Sequence, residues 1–327
     1  MKQTLPNLLL KFKERLPARP EIMAVLRKGR WMAEGLARDF WKDSDATISA
    51  GAAGPMSYEN AVAAAAAMPV KASPDGLWRP EPGEISERMW GKDFILPGDA
   101  EMTERMIRPL GLDKDMSVLD LSAGLGGHMR KPIEEFAVHI SGMEVDADIA
   151  QRGMKQLQAS GRGKRATIAA YDPLNLTADR LYDCILARET LHHMPDKEKF
   201  IKSMLAISKP KVQFSFTDYV VNPEMRDAPA IAAWRAFEKG ADPVGLVEMA
   251  ELWAKSGVNL RVHDDQTDTY KKEVMLGLAR FAKFMASGVK PAPETKKAID
   301  KHITLWAHRV SALNAGMKFY RFYGLRG

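Results

Sequence analysis

Residues 117 to 130, SVLDLSAGLGGHMR, constrain this chain more than any other stretch. A short run of strand-forming residues, Val118, Leu119, Asp120 and Leu121, stops at Ser122 and Ala123. It gives way to Gly124, Leu125, Gly126 and Gly127 before a segment that starts a helix, read as 127–136. A buried parallel strand, a tight turn and a helix N-terminus together form the framework of a nucleotide-type loop. Glycines let such a loop approach a ligand closely because no Cβ stands in the way.

Two carboxylates downstream sharpen the reading. Glu144 ends the next strand, 138–143, about twenty residues past Gly124, where an acidic side chain can accept bonds from a ribose diol. Asp172 follows the strand 166–170, in reach of an adenine edge. A dinucleotide and S-adenosylmethionine compete for such an adenosine site. A dinucleotide brings a pyrophosphate and calls for the regular G-x-G-x-x-G loop. Here Asp120 stands just before the loop and would repel phosphate, whereas it suits the ammonium group of adenosylmethionine.

On these residues the chain resembles the class I adenosylmethionine-dependent methyltransferases, whose first motif is similar to VLDLSAGLGG. Three further segments resemble the phosphoethanolamine methyltransferase branch. They are ERMWGKDFILPGD at 87–99, RETLHH at 188–193 and FSFTDY at 214–219. The resemblance covers roughly residues 78 to 270. It implies a donor site of Asp120, Gly124, Gly126, Gly127, Glu144, Asp172 and Arg188, with His193 as general base and Glu189 holding an ammonium or orienting the imidazole. It implies acceptor contacts from Trp78, Trp90, Phe94, Asp218 and Tyr219, with Trp90 and Phe94 placed to face the sulfonium.

The sequence departs from that branch at the acceptor. An ungapped reading places Trp78 where a tyrosine pairs with the histidine, Ser86 where another tyrosine is expected, and Thr269 in place of a phosphate-contacting tyrosine. His192 and His193 are adjacent and cannot both point inward from a helix. The other histidines, 128, 139, 263, 302 and 308, lack ligand spacing, so no metal site is expected.

Strand and helix alternate from 118 onward, which predicts a doubly wound α/β, Rossmann-like sheet. Helices are expected at 147–159 and 196–208, with strands at 182–187 and 212–217; Pro210 and Lys211 stand where a glycine pair commonly precedes the latter strand. Beyond it come helices within 223–256, with Trp234, Phe237, Leu246, Met249 and Trp253 as apolar faces, and a strand at 259–263. Helices at 270–287 and 292–315 precede a last strand, 318–323. Helices inserted before a final strand commonly form a lid, which keeps water from the reactive methyl group. The expected division is a basic helical extension and linker over 1–83 and a methyltransferase domain over 84–327, with lid elements at about 223–256 and 270–315.

Charge separates the two parts. Residues 1–43 hold ten Lys or Arg against five acids, about +5 of the chain's net +6. A catalytic face built for nucleic acid would spread that charge over its rim, so a nucleic-acid substrate is set aside. The arm reads as amphipathic helix, through Leu8, Leu9, Phe12 and Leu16 and then Ile22, Leu26, Met32, Leu36 and Phe40, with an alanine helix at 58–67. It fits a helical layer packed on the domain, a homodimer contact or a peripheral membrane contact. One cysteine in 327 residues excludes a disulfide framework, and no stretch reaches membrane-span length, which predicts a cytoplasmic protein. The reading that follows is methyl transfer from adenosylmethionine to a small-molecule or lipid-like acceptor, with N-methylation of an amine favoured. C- or O-methylation of an apolar, sterol-like or quinone-like molecule and a non-catalytic adenosylmethionine-binding role stay open beside it.

Overall fold

The computed structural model describes residues 73–98 and 100–327; the expected N-terminal helices, the alanine helix and most of the linker lie outside the described residues. Two helices, α1 (Glu84–Trp90) and α2 (Ala100–Ile107), precede a seven-stranded sheet. Its strands are β1 (Ser117–Asp120), β2 (His139–Glu144), β3 (Ala166–Ala170), β4 (Tyr182–Arg188), β5 (Ser208–Val220), β6 (Val258–Asp265) and β7 (Lys318–Arg326). They lie in the order β3-β2-β1-β4-β5-β7-β6. The first five pair in parallel, and β7 runs antiparallel between β5 and β6. Chain order reverses direction between β1 and β4, and ligands of open α/β sheets bind at such a switch point.

The apolar runs explain which strands lie inside. β4 is buried along nearly its whole length, as a strand covered on both faces requires, whereas β6 at the sheet edge alternates. On one face α3 (Arg130–Phe136) and α4 (Ala147–Ala159) cover β1 to β3. On the other, α5 (Lys197–Ala206) and α7 (Leu246–Lys255) bury Phe200, Met204 and Trp253 against β4 and β5. Asp146 and Asp196 cap α4 and α5 through backbone N–H groups, each cap contributing about 1 kcal/mol. A third, helical layer unites α1, α6 (Pro229–Phe237), α8 (Thr267–Ala286) and α9 (Pro293–Asn314) around Trp90, Trp234, Tyr270 and Trp306.

Three expectations shift. The helix read as 127–136 starts at Arg130, because Gly127 gives its N–H to Asp93 and Met129 turns back to Gly126. The second half of 223–256 packs on the sheet: α7 lies against β6 and buries Trp253 beneath β5. Strand β5 starts at Ser208, with an irregularity in its pairing to β4, and Lys211 takes the left-handed φ of 65° that a glycine would adopt without strain.

Candidate active site

At the C-terminal end of β1, Asp120 is buried and hydrogen-bonded to Ser122 N and Oγ. Arg188, the last residue of neighbouring β4, donates from Nη1 to both carboxylate oxygens, at 3.0 and 2.9 Å. Its backbone N–H also reaches Ser122 Oγ. Asp120 therefore clamps β1 to β4 instead of standing free for an ammonium group. The clamp leaves Arg188 Nε and Nη2 buried and without a partner, donors that a bound carboxylate would satisfy.

The loop turns through Gly124 and Gly126, at φ 55° and 90°. Gly127 lies so close to the segment 91–98 that a Cβ there would stand 2.7 Å from Asp93 O. Ile95 covers Gly124, and Phe94 packs edge-on to His128, whose Nδ1 lies 2.7 Å from Thr103 Oγ1. Burial, reinforced by Arg188, keeps His128 well below its usual pKa. The segment before the first strand is thus seated on the glycine loop, and Arg130 pairs with its Asp93.

Glu144 ends β2 with Oε2 accepting from Gly124 N at 3.0 Å and Oε1 from Asp146 N at 3.1 Å. Burial raises its pKa against the opposing pull of these N–H groups. Asp172 is exposed and holds its own turn, accepting from Leu174 N and Asn175 Nδ2, which lower its pKa. Beside these two acids, Val145 and Leu174 are 57% and 55% exposed, apolar side chains placed to flank a flat ring.

The second half of the site begins one residue past the clamp. Glu189 takes a left-handed φ of 50°, a strained conformation that costs about 1–3 kcal/mol and persists where surroundings impose it. Its carboxylate accepts from Tyr270 Oη at 2.6 Å, Tyr219 Oη at 3.2 Å and Arg309 Nη1 at 2.7 Å. Burial raises both phenols well above their usual range, so they stay protonated donors. Arg309 also pairs with Glu238 through Nε and Nη2, and Glu238 accepts from Trp234 Nε1. Burial would raise Glu238, but the bonds from His193 and Arg309 outweigh it and hold the carboxyl well below the usual range.

The two histidines sit in a 3-10 turn, not a helix, and keep their rings side by side, 4.0 Å between centroids, while differing in burial. In the 3-10 turn Leu191–His193, His192 is buried and lies 2.6 Å from Asp218 Oδ1 through Nδ1. Burial keeps its pKa low, partly offset by Asp218. His193 is about one-third exposed, with Nε2 3.2 Å from Glu238 Oε1. Glu238, not Glu189, therefore orients His193. Of the acceptor residues read from sequence, Asp218 and Tyr219 join this cluster. Trp78 and Trp90 instead fill the helical layer: Trp78 donates to Glu84 and meets Phe284 edge-on, while Trp90 lies on Gly277, where a Cβ would come within 2.0 Å of the ring, and on Trp306.

Arg309, Glu238 and Tyr270 escaped the sequence reading. Arg309 did carry a signal, a charge on the stripe Ile299, Trp306, Val310 and Leu313 that α9 buries. Thr269 is exposed, but the first turn of α8 points its neighbour Tyr270 inward, so a buried phenol stands one residue beyond the expected place. Ser86, in place of another tyrosine, contacts His302 Nε2 at 3.2 Å.

A family model described as a methyltransferase domain matches residues 99–262, half of the chain. A phosphoethanolamine N-methyltransferase from Triticum aestivum is 26% identical over 198 residues, 60% of this chain and 38% of that protein. The chain thus spans about two-fifths of the length of that relative. The phosphoethanolamine N-methyltransferase 2 of Haemonchus contortus, solved with phosphomonomethylethanolamine and S-adenosylhomocysteine, superposes with a TM-score of 0.66 at 17% identity, over 75% of this chain and 57% of its own. A putative sarcosine dimethylglycine methyltransferase from Galdieria sulphuraria gives 0.64 at 17% identity, over 75% and 98%.

Proposed function

The chain belongs to the methyltransferase-domain family, and from that premise we propose that it transfers a methyl group from S-adenosylmethionine to the nitrogen of a small amine. The observation that carries the donor half is Glu144, fixed to the glycine loop by the Gly124 N–H and aimed from a strand end at the switch point. Glu144 would hold the ribose, Val145 and Leu174 would flank the adenine with Asp172 at its edge, and the free donors of Arg188 would take the amino-acid carboxylate. When bound, the donor supplies an electrophilic methyl on a sulfonium, already activated for in-line displacement.

The protein's own contribution is then positioning and proton removal. Glu189 and Glu238 share one buried guanidinium, Arg309, and Asp218 adds a third carboxylate beside His192. That excess of negative charge favours a cationic acceptor beside a cationic donor. His193, steadied by Glu238, would take the ammonium proton and free the lone pair that attacks. Relatives named for phosphoethanolamine support an amine as the acceptor.

Methylation of a lipid-like acceptor at carbon or oxygen is the second reading. Its support is the basic arm of residues 1–43, which would bring the protein to an anionic membrane surface; among the described residues, no helix is long and apolar enough to cross a membrane. Titration calorimetry with adenosylmethionine, followed by mass spectrometry of an amine and lipid extract incubated with it, tests both. A product heavier by one methyl group names the acceptor class. Absence of donor binding by the folded protein would overturn the proposal.

A further inference from the structure

His192, His193 and Glu238 each offer a donor atom within 4.8 Å of the other two. They come from the turn after β4 and the end of α6, 45 residues apart in sequence, so no spacing motif announces them. Two features suit them to a shared ion. His193 Nε2 and Glu238 Oε1 are 3.2 Å apart. Two ligands with that separation, each at about 2.0–2.1 Å from one ion, subtend roughly 100°, close to a tetrahedral angle.

The other feature is His192. Its Nδ1 is engaged by Asp218, so its lone pair lies on Nε2, which is buried and has no hydrogen-bond partner. A carboxylate on the far nitrogen of an imidazole is the arrangement that orients histidines on metal ions. Asp218 is itself fixed by the backbone N–H groups of His192 and Tyr219.

We propose that His192, His193 and Glu238 form a site for a borderline divalent transition ion, of which Zn²⁺ and Co²⁺ are the types, with Asp218 as its orienting carboxylate. Two imidazoles and one carboxylate suit such ions, whereas Mg²⁺ and Ca²⁺ take mostly oxygen ligands. The ion replaces the hydrogen bond between His193 and Glu238, and Glu238 keeps its pairing to Arg309 on its other lone pairs. The one-third exposed ring of His193 gives the ion a way in.

Occupancy has a consequence that rests on the base role proposed above, although the site itself does not. A lone pair of His193 given to an ion cannot take a proton from an acceptor. The ion therefore acts as an inhibitor, and methyl transfer proceeds in the ion-free protein.

The test is a titration of the full chain, first stripped with EDTA, with Co²⁺ followed by Zn²⁺. One equivalent of Co²⁺ should produce visible tetrahedral d–d bands that Zn²⁺ abolishes and Mg²⁺ leaves unchanged. His193→Ala, at a partly exposed side chain, should keep the fold by circular dichroism yet lose the bands and weaken Zn²⁺ at least about 100-fold. Asp218→Asn should weaken Zn²⁺ about 10–100-fold. No stoichiometric binding by the folded wild type, or binding that survives His193→Ala, overturns the site. Stoichiometric binding that leaves methyl transfer untouched keeps the site and removes His193 as the base. The titration needs no methyl donor, so its failure leaves the methyl-transfer reading standing.

Discussion

Around the glycine loop, the polar contacts are made largely by backbone N–H groups and by side chains at the ends of adjoining strands. Around Glu189, they are made by side chains that reach in from β5, α6, α8 and α9, across 120 residues of sequence. The first arrangement follows from strand order and needs few particular residues. The second exists only when the helical layer is docked on the sheet, so it is coupled to the packing of Trp234, Tyr270 and Trp306. In the proposed reading, donor recognition would be a property of the sheet, and acceptor recognition a property of the assembled layers.

The sharpest way to break this contrast is Arg309→Met. It leaves Glu189 and Glu238 buried without their cation, and removing one partner of a buried pair costs about 3–5 kcal/mol. Urea unfolding should show that loss, while calorimetry on the folded fraction should find donor affinity within about threefold of wild type. A large drop in donor affinity would show the two halves to be one unit.

Acid should act next most strongly, and it reaches both regions. His302 is held down to about 4 by burial, aided by Arg309 and Lys301, and His128 and His192 are also kept low by burial. A histidine with a depressed folded pKa stabilises the fold fully above its unfolded value of about 6.5. That stability drains away as pH falls from 6.5 toward 4, by up to about 3 kcal/mol for His302 alone. Thermal melts across this window should show the decline, and His302→Gln should flatten it.

His193→Ala should lower turnover by about 10², the usual contribution of a positioned base, with donor affinity unchanged. Rapid-quench turnover set beside calorimetry separates the two. Glu144→Gln is the mirror experiment on the donor side. It should weaken adenosylmethionine by about 1.5–3 kcal/mol, the worth of hydrogen bonds to a charged group, with little change in urea midpoint. Asp172→Asn should have the smallest effect, within about 1 kcal/mol of donor affinity, because that carboxylate is exposed and already holds its own turn.

The same contrast decides what could be read in advance. Helix α4 matches its expected bounds because Asp146 supplies a cap and the apolar residues Ala150, Gly153 and Leu157 keep a helical period. The parallel strands were legible as apolar runs, and Glu144 as the acid that ends one of them. The delayed start of α3 was not, because Gly127 answers to Asp93, a partner 34 residues away in the chain. Nor was the network on Glu189, since nothing local to Glu238 or Tyr270 says which carboxylate or guanidinium they meet. Trp78 shows the converse: resemblance implied a ligand contact for it, and its side chain packs with Glu84 and Phe284 in the core.

Trp78 also fixes where the first part of the chain is attached. Its backbone pairs with Lys290 and Ala292 at the junction of α8 and α9, and its carbonyl accepts from Thr295 Oγ1. The described chain is therefore moored at Trp78 to the helical layer, before Arg152 of α4 ties Pro82 and Glu87 to the sheet. A displacement of Trp78 would thus reach α9, the helix that carries Arg309, through Thr295 and the Lys290–Ala292 junction, and would reach the glycine loop only by way of α1 and the segment 91–98 or through Arg152.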